Sequence, residues 1–266
     1  MGRSAPADAE RPLVRTRLDG AVAVVMLDSP ENRNALSTAV LVGLTDALAT
    51  AAEDDEVRVV VMVSEGSAFS SGADLNELTA PDGEGPRRIA EGLLTLLRTI
   101  VTLPKPVIAR VHGATRASGL GLVGAADLAI AGSSATFGFT EARLGLAPAV
   151  ISLTTLPRMV PRAASRALLT GATIDATIAA EIGLVSQVVP DDALDAAVDS
   201  AVGSLLAASP QGLTVTKELL TRQIRARLAD EGPGMVELST SLFASEEGQE
   251  GMRAVLTHTQ PRWAAR

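Results

Sequence analysis

Four short apolar runs, each closed by a loop of small or turn-forming residues, most constrain what this chain can fold into. AVAVVML (21–27), VRVVVMV (57–63), PVIARV (106–111) and DLAIAG (127–132) are built from Val, Ile, Leu, Met and Ala. Runs of that length bounded by Gly, Pro, Ser and Asn read as buried strands. Between them lie stretches with helical spacing. Ser37 is placed to cap the first, in which Leu41, Leu44, Leu48 and Ala52 share one face up to about Asp54. A second helix is expected around Arg88–Val101, stopped by Pro104 and Pro106. Strand, loop and helix then recur, and strands joined through helices pair in parallel, so the class is α/β. Residues 21–27 are expected to be the first ordered element, after a frayed start MGRSAPADAERP. From about Asp191 only helical patterns follow, punctuated by Pro210 and Gly232-Pro233-Gly234.

Composition narrows the function. A chain of 266 residues has room for one sizeable core, and at 47% hydrophobic but 2% aromatic that core is aliphatic. Stacking platforms for bases are scarce, and a net charge of −8 argues against nucleic acid or an anionic membrane as main partner. There is no Cys, and the only histidines are His112 and His258. Thiol chemistry is therefore excluded, and a histidine-rich metal site or a serine triad is disfavoured. No metal or redox cofactor is expected. The start lacks the apolar segment of a signal peptide, and no run approaches the roughly 20 apolar residues of a membrane span, so a cytoplasmic protein is expected.

GLGLVG (119–124) matches the dinucleotide pattern G-x-G-x-x-G, with an acid, Glu141, further on. In a dinucleotide fold the first glycine follows its strand directly, because the strand end delivers the pyrophosphate to the helix N-terminus. Here His112 to Ser118 intervene, and Glu141 opens a helical segment instead of closing a second strand. A second reading is that the glycines only permit close helix packing.

Four segments in register carry a third reading. DSPENRNAL (28–36), FSSGADLNEL (69–78), KPVIARVHGATRASGLGLVGAADLAI (105–130) and ATFGFTEARLGLAP (135–148) together resemble the crotonase superfamily of acyl-CoA enzymes, and the similarity runs on through 156–189 to the tail. The resemblance implies a crotonase-type spiral of strand-helix repeats over 12–190. It also implies a C-terminal all-helical oligomerisation region over 191–266, which builds trimers or hexamers. Leu213, Leu219, Leu220 and Ile224 are expected to be the apolar residues this tail exposes.

That family makes a thioester enolate and holds its charge on two backbone amides. Carried over by position, these are the amides of Ala73 and Ser118, and donors of this kind are worth roughly 3–4 kcal/mol each. Ala117-Ser118-Gly119 departs from the triple glycine common in the family and adds a hydroxyl, which reads equally as a helix cap. The CoA surface is assigned to Arg33, Ala35, Ser71, Ala73, Asp74, Leu75, Asn76 and Ser118. Arg33 reads as a phosphate partner or a solvated turn residue, and Asp74 as the cap of the helix that begins there. The best-known hydratases use two glutamates. Only the second is present, as Glu141, and the first falls on Gly121. The resemblance therefore implies an enoyl-CoA hydratase with one acid/base. An enoyl-CoA isomerase and a non-catalytic acyl-CoA binder are the alternatives, with Asp82, Glu84 and Glu91 as other proton carriers. CoA enters as part of the substrate.

Overall fold

The structure is a computed structural model in which residues 11–264 are described. The expected frayed start thus lies almost wholly outside the described residues. The chain begins with a hairpin, β1 (Val14–Asp19) and β2 (Val22–Leu27), followed by α1 (Thr38–Glu53). Then come β3 (Val59–Ser64), β4 (Ala68–Ser70), α2 (Leu75–Leu78), α3 (Gly85–Thr102), β5 (Val107–Val111), β6 (Ala114–Arg116) and α4 (Ser118–Ala125). After these lie β7 (Leu128–Gly132), β8 (Thr136–Gly138), α5 (Ala149–Thr155), α6 (Pro161–Thr170), β9 (Ile174–Asp175), α7 (Ala176–Glu181) and β10 (Gln187–Val189). Four helices end the chain: α8 (Leu194–Leu206), α9 (Pro210–Asp230), α10 (Gly232–Ala244) and α11 (Glu246–Leu256).

The first ordered element is β1, not the 21–27 run. Its sequence VRTRLD sits at a sheet edge with nearly every side chain exposed, so it shows no apolar run. Antiparallel pairing with β2 and ion pairs from Arg11 and Arg15 to the buried Asp28 carboxylate hold it.

The strands form two sheets. The larger has the order β1-β2-β3-β5-β7-β10, parallel after the first pair, and the smaller β4-β6-β8-β9, parallel up to β8. Three repeats, β3–β4, β5–β6 and β7–β8, each contribute a longer strand to the first and a three-residue strand to the second. The bend between them is tight: at Gly113 (φ 63°) a Cβ would fall 2.0 Å from the Ser67 carbonyl oxygen.

α1 forms as its cap predicts, with Ser37 Oγ accepting from the Val40 amide at 3.2 Å and Leu41, Leu44 and Leu48 buried. It packs with α3 on one face of the large sheet, whereas α8 lies on the other, against Val59, Val61, Ile108 and Ile130. α9 is pinned from inside. The Lys217 ammonium, 3% exposed, donates to the carbonyls of Ile100 and Lys105 at 3.0 Å each and pairs with Asp127 at 2.7 Å. Ile224, expected on an exposed face, is instead in the core at 3% exposure, and Leu213 is half-buried. Leu219 and Leu220 are exposed, together with Val215.

Candidate active site

Because β4, β6 and β8 are neighbours running in parallel, their carboxyl ends share one edge. Ala73, Ser118 and Glu141 each follow one of these strands, so three successive repeats deliver one residue each to the same place. Crevices outside strand carboxyl ends are where open α/β sheets bind ligands. Here a cavity of about 620 Å³ opens, lined by all three residues.

The backbone explains how the amides of Ala73 and Ser118 escape regular pairing. Leu36 donates to Gly72 O at 2.7 Å and accepts from Asp74 N at 3.3 Å, a parallel bridge that turns the intervening Ala73 amide away from its neighbours. Ser118 is the first residue of α4, where no carbonyl one turn back exists to accept its N–H. The two loops touch: a Cβ on Gly72 would lie 3.1 Å from Ala117 Cβ and 3.6 Å from Ser118 N. Ala117 holds φ 44°, ψ −120°, a conformation that suits glycine. Such strain costs about 1–3 kcal/mol and collects at functional sites. Relief of that strain exceeds the extra unfolded-chain freedom of a glycine, so Ala117→Gly is expected to raise Tm by about 2 °C. Calorimetry showing a lower Tm would contradict the strain.

Glu141 opens a 3-10 turn, Glu141–Leu144, and its carboxyl is buried, with Oε2 lacking any hydrogen-bond partner. Desolvation pushes its pKa up to about 7, and the Glu141 amide offsets only part of this. It is the one carboxylate lining the cavity among the described residues. Asp82, Glu84 and Glu91 do not line it: Asp82 is bound to Arg88 at 2.9 Å, and Glu91 lies 3.6 Å from Arg87. Among the described residues no group of three or more His, Asp or Glu is arranged to hold a metal.

Of the remaining predicted residues, Arg33, Ala35, Ser71, Leu75 and Asn76 line the same cavity. Asp74 does not. Its carboxylate caps α2, accepting from Asn76 N at 2.8 Å and Glu77 N at 3.3 Å, and takes a 2.7 Å bond from Asn32 Nδ2. Asn34 staples this loop from below, donating to Glu65 O and Ala68 O at 2.8 Å each. Several lining residues escape sequence reasoning. Arg143 comes from the Glu141–Leu144 turn, Pro86, Ile89 and Leu93 come from α3, and Phe243, Met252 and Val255 come from α10 and α11. The α3 stripe is helical spacing on view in the sequence. Nothing local marks α10 and α11 as a wall of this cavity.

The glycines of GLGLVG serve packing. A Cβ on Gly119 would lie 2.8 Å from Ser70 Cβ, and one on Gly124 2.9 Å from the Thr154 carbonyl carbon, so α4 rests directly on β4 and α5. Gly121, the position of the hydratases' first glutamate, is shut off: its Cβ would meet Ile151 Cγ2 at 2.8 Å and Leu97 at 3.3 Å.

Two sheets spiralling through strand-helix repeats, with helices docked on them, are the crotonase fold. An enoyl-CoA hydratase from Mycobacterium avium shares it, at TM-score 0.88 and 43% identity over 95% of this chain and 99% of that one. The family model for enoyl-CoA hydratase/isomerase matches residues 17–266, and the chain belongs to that family. A Xenopus laevis relative, enoyl-CoA hydratase domain-containing protein 3, mitochondrial, is 32% identical over 95% of this chain and 86% of its own length. The match to the Danio rerio protein of that name is 37% identical and spans 53% of that protein's length. The family acts on acyl-CoA thioesters. No described helix is long and apolar enough to cross a membrane.

Proposed function

We propose that this protein hydrates a 2-enoyl-CoA, using Glu141 as its single acid/base and the Ala73 and Ser118 amides as the oxyanion hole. The observation that carries the reading is the buried Glu141 carboxyl, with Oε2 unpartnered, in a residue that lines the same cavity as Ala73 and Ser118. The thioester oxygen sits between the amides, which stabilise negative charge as it develops. Glu141 takes a proton from water as the water oxygen bonds to C3, and the same carboxyl then returns a proton to C2. A group whose pKa lies near neutrality can do both. Arg33 and Arg143, both exposed and both lining the cavity, suit the CoA phosphates. The closure of position 121 favours a second reading, isomerisation, which needs no bound water. Product analysis after incubation with 2-enoyl- and 3-enoyl-CoA thioesters tests both. 3-Hydroxyacyl-CoA from a 2-enoyl substrate is expected, while binding of thioesters without any product would overturn the enzymatic reading.

The same reading places the protein in the cytoplasm as a homotrimer or a hexamer. Leu220 on α9 is 71% exposed and Leu169 on α6 78% exposed, and apolar residues so placed suit burial between subunits. Light scattering at micromolar concentration is expected to report three subunits or a multiple. A monomer would remove this part.

A further inference from the structure

Ser118 is used unlike the serines that begin other helices. Ser37, Ser209 and Ser245 each sit one residue before a helix and accept from an amide in its first turn. Ser118 is already inside α4, the residue before it is Ala117, and no side chain caps that end. Its hydroxyl therefore has no capping duty, and the residue lines the same cavity as Glu141.

Two further facts give that hydroxyl a task. Residues three apart on a helix share a face, so Ser118 and Gly121 look the same way. A side chain at 121 would lean back towards the helix N-terminus, over Ser118. With Gly121 bare and its Cβ space occupied by Ile151 and Leu97, the second water-holding group that a two-carboxylate hydratase has is missing. Glu141 is the only lining carboxylate among the described residues, so it can supply only one side of a water's hydrogen bonds. A held water needs two or more polar partners.

We propose that Ser118 Oγ is a catalytic group that holds the attacking water against Glu141, in the role the absent carboxylate at position 121 would have. The hydroxyl loses no proton. The water's oxygen bonds to C3, its proton passes to Glu141, and Ser118 Oγ keeps its hydrogen bond to that oxygen as the carbon–oxygen bond forms. This deepens, and rests on, the hydratase reading.

The test compares wild type, Ser118→Ala and Ser118→Thr in hydration of a short 2-enoyl-CoA and isomerisation of a 3-enoyl-CoA, with Tm as a check on folding. Ser118→Ala is expected to lower kcat for hydration roughly 10-fold, the worth of one hydrogen bond to the reacting water, with KM changed less than about 3-fold. Isomerisation, which uses the amide but no water, is expected to fall clearly less than hydration does. Ser118→Thr, which keeps the hydroxyl, is expected to recover a substantial share of hydration. Undiminished hydration in Ser118→Ala overturns the proposal, as does an equal fall in both reactions, which would mean a distorted oxyanion hole. A wild type that isomerises without hydrating overturns the hydratase reading and this inference together. A wild type that hydrates while Ser118→Ala matches it overturns the inference alone.

Discussion

Glu141→Gln is expected to bind acyl-CoA about as well as wild type and to lose turnover by roughly 10²–10⁴-fold, because it removes a general acid/base while nearly preserving shape. Titration calorimetry and steady-state kinetics separate the two effects, and undiminished turnover would move the proton transfer elsewhere. The same substitution carries a stability signature of definite sign. Burial raises the Glu141 pKa from its ordinary value to about 7, so the folded state prefers the neutral carboxyl. Stability is then fully present below the unfolded pKa and is lost as pH rises towards 7, beyond which the loss is constant. At about 1.4 kcal/mol per pKa unit, a rise from 4.5 to about 7 makes the loss roughly 3–4 kcal/mol. Ligand-free Glu141→Gln is therefore expected to be more stable than wild type by about that amount at pH 8, and to show little difference near pH 4. For wild type, kcat/KM for hydration is expected to rise through about pH 7 and level off, as ionised Glu141 becomes the base.

Gly121→Glu, the substitution that supplies the missing carboxylate on paper, is expected to destabilise the protein by several kcal/mol without improving hydration. Its Cβ would arrive 2.8 Å from Ile151 Cγ2 in a packed interior, and overpacking alone costs about 1–3 kcal/mol. Forcing a carboxylate among Leu97 and Ile151 adds the cost of an unpaired buried charge. Opening the space removes the first penalty. Gly121→Glu combined with Ile151→Ala is therefore expected to regain part of the Tm lost by the single variant and to raise hydration relative to isomerisation. Thermal melts and product ratios for both variants check this, and a single variant as stable as wild type would show that position 121 is not closed.

Local order alone determined a good deal. The four apolar runs became β2, β3, β5 and β7 because burial on both faces of a parallel sheet demands continuous Val, Ile and Ala, a pattern readable without neighbours. α1 was likewise legible from period and its Ser37 cap, and α3 and the four closing helices from helical pattern and the Pro and Gly residues that bound them. The segments around Ala73, Ser118 and Glu141 stood out by their order along the chain, and the cavity brings all three together. What the tertiary structure decided depends on residues distant in sequence. Three-residue strands such as β4 and β8 show no periodicity, and an edge strand such as β1 can be polar because one of its sides meets water. Asp74 proved a cap, not a wall, because a carboxylate at the start of α2 finds two amides before it finds a ligand. Ile224 went inward and Leu220 outward because the Lys217 anchor sets the rotation of α9. Whether position 121 could hold a working glutamate was settled by Ile151 and Leu97, which reach α4 only once α5 and α3 have packed on it. A local pattern specifies which element forms, but which face of that element meets which partner is a property of the assembled core.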